Sequence, residues 1–150
     1  MIPLHELRIG SLVTHEDYSS EIFEVIEIYK KGDVYFVNTK GGKNGEWVNP
    51  IDLINPIPIT KEWFPAFGFE FIDNQRPRFG WYFPIKINKC CFLCCGYDNN
   101  TVGIEDGEGN EVVSYIPCGS VHQLQILIFS LTGKEPKPGK EMIAAIIKLK

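Results

Sequence analysis

The residues SVHQLQILIFSLTG, 120–133, constrain the fold more than any other stretch, because they mark both ends of a helix and its apolar face. Ser120 and Gln123 have the spacing of a capping box, in which each side chain caps the backbone near the other. Apolar side chains recur at helical spacing at Leu124, Leu127, Ile128 and Leu131. Gly133 suits the left-handed residue that follows many helices. The pattern predicts a helix over 120–132 that buries one face.

The residues before this helix favour an antiparallel meander for it to pack against. Apolar and aromatic residues form strand-like runs at 69–72, 81–83, 85–95, 102–104 and 111–116. Turn-forming residues follow at 98–100 and 107–110. The predicted class is therefore α+β and β-rich, with an antiparallel sheet packed on one C-terminal helix.

The first 59 residues predict a different β unit. Short strand-like runs alternate with turn signals, of which Gly41–Gly45 is the strongest. Glu24 and Glu27 have opposite parity within the run Ile22–Tyr29, so this strand must bulge or twist. Four or five short, bent strands within about 55 residues favour a small closed barrel of the Src-homology-3-like kind.

We expect three segments along the chain. Residues 1–59 form the small barrel, and residues 60–135 form the sheet and helix, which share a core with it. Residues 136–150 form a linker and an apolar tail.

The tail places large apolar residues close together, at Met142, Ile143, Ile146, Ile147 and Leu149. Their spacing suits a short amphipathic helix, with a strand as the alternative. Such a patch is rarely left exposed, so either the chain's own core or a second subunit must cover it. The linker is stiffened by Pro136 and Pro138, and we expect it to carry the tail into a homo-oligomer interface.

The composition is that of an ordinary globular chain. Hydrophobic residues make up 44% and charged residues 23% of 150 residues, which excludes wholesale disorder. The formal net charge of −4 argues against general nucleic-acid binding, because that activity needs a basic face.

The sequence also predicts a cytoplasmic protein without a membrane partner. Residues 1–6 lack the basic and apolar regions of a signal peptide. No apolar run approaches the roughly 18 residues of a spanning helix. The cysteine count of five is odd, and four of the cysteines lie within 90–95, which is a poor disulfide framework. A reducing cytosol is the simplest interpretation.

Arg76, Arg78, Trp81 and Tyr82 are the best ligand candidates in the sequence. Guanidinium groups bind phosphate and aromatic rings stack on bases, so the cluster indicates a small anionic ligand such as a nucleotide. Core aromatics beside an exposed basic loop are the alternative.

His122 and Gln123 are the second candidates. They lie in the first turn of the predicted helix, where free backbone N–H groups favour an anion. In the alternative, Gln123 only caps the helix and His122 is a surface side chain.

A zinc site built from Cys91, Cys94, Cys118 and His122 is the one metal hypothesis. Residues 91 and 94 would lie on one strand and point to opposite faces, so we predict no bound metal and no cofactor. The cysteines are then small apolar side chains. No nucleophile, phosphate-loop or metalloprotease motif is present, so we expect no enzyme activity.

Three stretches together resemble a family of small uncharacterised proteins of Bacteroidetes bacteria and their phages and prophages. They are Leu-Arg-Ile-Gly at 7–10, Pro-Ile-Pro-Ile-Thr-x-x-Trp at 56–63, and Val-His-Gln-Leu-Gln at 121–125. The resemblance covers about residues 5–135 and implies a phage or mobile-element context without implying a reaction. The chain departs from the family pattern at Pro65 and in the extension 134–150.

These observations predict a non-catalytic binding protein of a phage or prophage that acts in the host bacterial cytosol. It would serve in counter-defence or host takeover, by sequestering a signalling nucleotide or by blocking a host protein. A virion structural or cargo component and an unrecognised enzyme are the alternatives.

Overall fold

The computed structural model describes residues 1–42, 45–71, 79–85, 91–96, 101–106, 108 and 110–148. It is β-rich, with two antiparallel sheets and short helices. The predicted α+β class with antiparallel sheets is confirmed.

The first sheet has five strands in the order β4-β3-β2-β1-β5. Their bounds are β1 Leu12–His15, β2 Tyr18–Lys31, β3 Val34–Gly41, β4 Gly45–Pro50 and β5 Ile54–Pro56. The register of β2 against β3 shifts between Val25 and Glu27. This is the irregularity that the opposite parity of the two glutamates predicts, because one extra residue restores the alternation of faces.

Two boundaries of this half differ from the sequence pattern. The run at 7–13 is a strand only from Leu12, because Arg8–Ser11 forms a turn in which Gly10 has a φ of 91°. The apolar run at 57–59 also resembles a short strand in the sequence, but the paired strand is β5, at 54–56, which pairs with β1. Residues 57–59 instead meet the segment before the C-terminal helix, through a bridge between Pro58 and Ser120.

The second sheet is the predicted meander, in the order β10-β9-β8-β7-β6. Its strands are β6 Glu70–Phe71, β7 Phe79–Ile85, β8 Cys91–Gly96, β9 Thr101–Asp106 and β10 Glu111–Pro117. Of the predicted run 85–95, residue 85 ends β7 and residues 91–95 lie in β8, which pairs with β7; residues 86–90 lie outside the described residues.

Three α-helices complete the described part of the chain. α1 is Trp63–Ala66, α2 is Val121–Thr132 and α3 is Lys140–Lys148. Helix α2 confirms the predicted helix over 120–132. It ends at Gly133, whose φ of 68° is left-handed. Short 3-10 turns lie at Leu4–Glu6 and Ile51–Leu53.

One apolar cluster joins the two halves. Leu12 of β1, Trp63 and Phe64 of α1, Val102 of β9 and Leu124 of α2 are all buried in it. A smaller cluster is confined to the first sheet and the N-terminal turn, with Val13, Val25, Val37 and Ile54 among its members. The larger cluster fixes α2 between the two sheets.

Entry of the tail into a subunit interface stays a prediction, but part of the tail packs on its own chain. Helix α3 folds back onto α1 and β2 of its own chain. Ile146 is buried in the larger cluster, and Ile143 packs against it. The helix expected for the tail is confirmed. Its Ile146 is buried, whereas Ile143 and Ile147 are half-buried and Met142 is exposed. The linker is fixed to the chain's own core, because Gln125 of α2 donates a hydrogen bond to the Pro136 carbonyl oxygen.

Among the described residues, no helix has the length and apolar character that crossing a bilayer requires.

Candidate functional site

A pocket of about 360 Å³ lies at the N-terminal end of α2. Three distant segments form it: the N-terminal turn, the prolines on either side of Ile57, and residues 119–123. These segments include parts of two of the three stretches on which the family resemblance rests, 56–63 and 121–125. The volume is within the usual range for small-molecule sites.

Backbone pairing explains why these segments meet. Val121 donates its N–H to the Ile57 carbonyl oxygen at 2.9 Å, and Ile59 donates to the Gly119 carbonyl oxygen at 3.2 Å. The bonds attach the extended residues before α2 to the chain after β5. The first turn of the helix is thereby fixed beside Leu4–Glu6.

Glu6 is the centre of the polar cluster in this pocket. Gln123 Nε2 donates to Glu6 Oε2 at 3.0 Å, and His122 Nε2 lies 3.4 Å from the same oxygen. The hydrogen bond from Gln123 is the main cause that lowers the pKa of the Glu6 carboxyl, with smaller contributions from His122 and His5. Glu6 is therefore a carboxylate at neutral pH.

His122 is 2% exposed, and it is not the surface side chain of the alternative interpretation. Burial lowers the pKa of His122, and the hydrogen bond and charge of Glu6 only partly oppose this effect. The ring is therefore neutral at pH 7. A carboxylate only accepts hydrogen bonds, so the ring proton lies on Nε2. Nδ1 is buried and has no hydrogen-bond partner among the described residues.

The capping box is only half formed. The Ser120 hydroxyl makes no hydrogen bond to the helix backbone. It lies 3.5 Å from His122 Nε2, so the neighbouring ring competes for it. Gln123 Oε1 accepts a hydrogen bond from the N–H of Gly119, one residue before the predicted position.

The cluster does not have the geometry of a nucleophile relay. In a serine–histidine–acid relay, the hydroxyl and the carboxylate contact opposite nitrogens of the ring. Here Ser120 and Glu6 both face Nε2, which carries a proton and cannot accept one. The arrangement can hold a ligand by hydrogen bonds, but it does not activate the Ser120 hydroxyl.

The anion expected at the start of α2 meets an existing negative charge. The Glu6 carboxylate already lies beside the first turn, where it interacts favourably with the helix dipole. A bound phosphate would face that carboxylate at close range, and the neutral His122 offers no compensating charge.

A second pocket, of about 320 Å³, adjoins the first and shares Glu6 and Gln123 with it. Its other walls include Ile116, Ile126 and Leu127. We call it the apolar groove. The two pockets meet at the Glu6–Gln123 hydrogen bond.

The other predicted site residues are not brought to this pocket by any described contact. Arg76 and Arg78 lie outside the described residues, as does Cys90. Trp81 and Tyr82 lie in β7, where their backbones pair with Cys95 and Cys94 of β8. For β7 and β8 the structure describes the backbone and not the side chains.

Of the four residues in the zinc hypothesis, the structure describes the side chains of two, Cys118 and His122. Burial raises the pKa of the Cys118 thiol to about 12, so it stays protonated, which disfavours metal binding. Cys118 is part of the larger apolar cluster. Among the residues that the structure describes, no three His, Cys, Asp or Glu side chains lie close enough to hold a metal ion. The side chains of Cys91 and Cys94 are outside that description.

Sequence reasoning missed Glu6, and it placed Gln125 as an amide donor for an anion at the helix start instead of in the core. Glu6 lies 116 residues before His122, and no local pattern links them. Gln125 is 1% exposed: its Oε1 accepts from the Leu12 N–H at 2.8 Å, and its Nε2 donates to the Gly10 carbonyl oxygen at 2.9 Å. The only sequence signal was a polar residue beside the predicted apolar stripe, at a position where burial was not expected.

Comparisons with family models, with curated proteins and with solved structures found no match for this chain.

Proposed function

We propose that this chain is a non-catalytic binding protein that takes a small ligand in the pocket at the start of α2. The observation that carries the proposal is the cluster of Glu6, His122 and Gln123 in a pocket of ligand size. Convergent polar groups in a concave site are the usual basis of small-molecule recognition.

The ring geometry supports binding over catalysis. Nε2 of His122 is occupied by Glu6, and Ser120 has no other base beside it among the described contacts. Without a base the hydroxyl remains a weak nucleophile. The buried ring is therefore a recognition group in this proposal.

The biological setting is proposed from the sequence resemblance. In that setting the protein acts in the cytosol of a bacterial host, as a counter-defence or host-takeover factor of a phage or prophage. Sequestration of a signalling nucleotide would use Arg76, Arg78, Trp81 and Tyr82. Blocking of a host protein would use a surface outside the pocket.

We further propose that the first sheet is a small barrel of the Src-homology-3-like kind. Its strand order returns β5 to β1, and a 3-10 turn at Ile51–Leu53 precedes β5. β2 is 14 residues long and pairs with both β1 and β3. A long strand that bends between two neighbours is what closure of a small barrel requires. A crystal structure with these strands wrapped around Val13, Val25 and Val37 would establish the closure.

The binding proposal is tested with a fragment library containing anionic, neutral and cationic compounds, screened by ligand-observed NMR. Gly119 lines the pocket, and a Cβ there meets no atom within 4 Å, so Gly119→Leu adds bulk at the pocket from a position with an open Cβ. Gly139 is equally open and is absent from the pocket wall, so Gly139→Leu is the matched control.

We expect a class of fragments to bind the wild type and Gly139→Leu, to lose binding to Gly119→Leu, and to be recovered unchanged. A library without any binder, or binders indifferent to Gly119→Leu, would refute the ligand site. Chemical conversion of a bound compound would refute the non-catalytic proposal.

A further inference from the structure

We propose that the pocket binds the cationic group of a small ligand, an ammonium or amidinium, whose apolar part lies in the apolar groove. The inference rests on the proposed function in one respect: the pocket must take a ligand at all. It adds the charge and shape of that ligand, which differ from those of a nucleotide.

The first step in the argument is that the Glu6 carboxylate has hydrogen-bond acceptor sites left for a ligand. Its Oε2 accepts from Gln123 and faces His122. Its Oε1 has only His5 nearby among the described charges, at 3.9 Å, and His5 is 83% exposed. A carboxylate offers about four lone-pair sites, so Oε1 retains room for a donor.

The charge balance of the pocket is the second step. Glu6 is the single Asp, Glu, Lys or Arg among the described residues that line it, and His122 is neutral. Met1 also lines the pocket, and its amino group donates to Asn55 Oδ1 at 3.1 Å in an exposed contact. The partial charge of the helix end, about half a unit, is smaller than that of the carboxylate. Glu6 thus carries the one side-chain charge among the described lining residues, and a charge-assisted hydrogen bond to it is the strongest contact on offer.

The apolar groove is the third step. It begins at the same two residues, Glu6 and Gln123, and continues along the apolar side chains of Ile126 and Leu127. A cation seated on Glu6 thus leaves the pocket directly over an apolar surface. Pro56 and Pro58 also line the pocket that holds the Glu6 carboxylate. A cation without an apolar part would leave the groove empty, so it would gain no free energy from burying apolar surface there.

The test uses three compounds of nearly equal shape: benzamidine is cationic, benzamide is neutral and benzoate is anionic. Guanidinium ion is the fourth probe, with the charge but without the ring. Binding is followed by NMR at the His122 ring and at the Gln123 side-chain amide, and affinity is measured by calorimetry. Glu6→Gln removes the charge and keeps the shape, and the exposed Glu16→Gln is the matched control.

We expect benzamidine to shift both sets of resonances in the wild type and in Glu16→Gln. Benzamide, benzoate and guanidinium should each bind about tenfold or more weakly than benzamidine, which corresponds to about 1.4 kcal/mol. Glu6→Gln should weaken benzamidine by about the same factor.

If benzoate or benzamide shifted these resonances and bound as tightly as benzamidine, the charge assignment would be wrong, although the ligand site would stand. Guanidinium binding as tightly as benzamidine would overturn the role of the groove. The four wild-type measurements decide the matter even if Glu6→Gln does not fold. A fragment library with no binder would instead remove the proposed function itself.

Discussion

At the scale of single residues, polar side chains on the buried side of α2 connect distant parts of the chain. His122 and Gln125 are nearly inaccessible, and each reaches a residue from the first 12 positions. Buried polar groups stabilise a fold only when they are paired, and they destabilise it strongly when a partner is lost. These two side chains therefore determine how the N-terminal turn is seated.

His122 predicts a pH dependence of stability. Burial lowers its pKa in the folded state below the unfolded value, about 6.5. Between those two values the unfolded chain binds more protons, so stability is full above about pH 6.5 and falls as the pH drops below it. The free energy of unfolding of the wild type should fall from pH 7.5 to pH 5.5, and that of His122→Asn should fall less. Equal slopes in urea titrations would contradict this assignment.

Gln125 predicts a loss of stability through unpaired backbone groups. Gln125→Met keeps the length but leaves the Leu12 N–H and the Gly10 carbonyl oxygen without partners. We expect a loss of about 2–4 kcal/mol in the free energy of unfolding. Gln123→Met, at a half-exposed position, should lose about 1 kcal/mol or less. An unchanged midpoint for Gln125→Met would show that these bonds contribute little.

At the scale of elements, α2 is rotated relative to the face that its apolar residues predict. Val121, Leu124 and Ile128 are fully or almost fully buried, whereas Leu127 and Leu131 are only partly buried. The rotation follows from His122 and Gln125, whose hydrogen bonds to Glu6 and β1 bring their side of the helix inward. Leu127 is left in the wall of the apolar groove.

The rotation predicts unequal effects of two leucines on the same helix. Leu124→Ala should lower the free energy of unfolding by about 2–5 kcal/mol, the range for fully buried leucines. Leu127→Ala should lower it by less, because the groove already exposes part of that side chain. The comparison is made by chemical denaturation, and equal losses would place both residues in the core.

At the scale of the whole molecule, one apolar cluster joins both sheets and the three described helices, of which α3 is the tail. The tail is anchored to its own chain through Ile146, which is buried in the same cluster as the side chains of α1. Homo-oligomer formation stays a prediction, and any such interface must use a surface other than the buried face of α3.

The covered tail predicts a stability effect without a change in subunit number. Ile146→Ala should lower the free energy of unfolding by about 2–4 kcal/mol, because it removes a buried side chain. Met142→Ala, on the exposed side of the same helix, should change it by about 0.5 kcal/mol. Light scattering should give both variants the mass of the wild type. A smaller mass for Ile146→Ala than for the wild type would show that the tail lies in a subunit interface.

Local patterns in the sequence were sufficient for the elements themselves. The spacing of apolar residues and Gly133 predicted α2, the parity of Glu24 and Glu27 predicted the shift in β2, and turn signals predicted the meander. These features depend on interactions between residues close in the chain, where periodicity and backbone preference act directly.

The site, the position of the tail and the face of α2 depended on tertiary structure. Glu6 and His122 are 116 residues apart, and long-range contacts bring them together, among them the pairing of residues 57–59 with 119–121. An amphipathic pattern shows that Ile146 must be covered but not which surface covers it. Burial of Gln125 became favourable only once β1 supplied partners for its amide. Long-range packing decided these points, because it pairs groups that no local pattern relates.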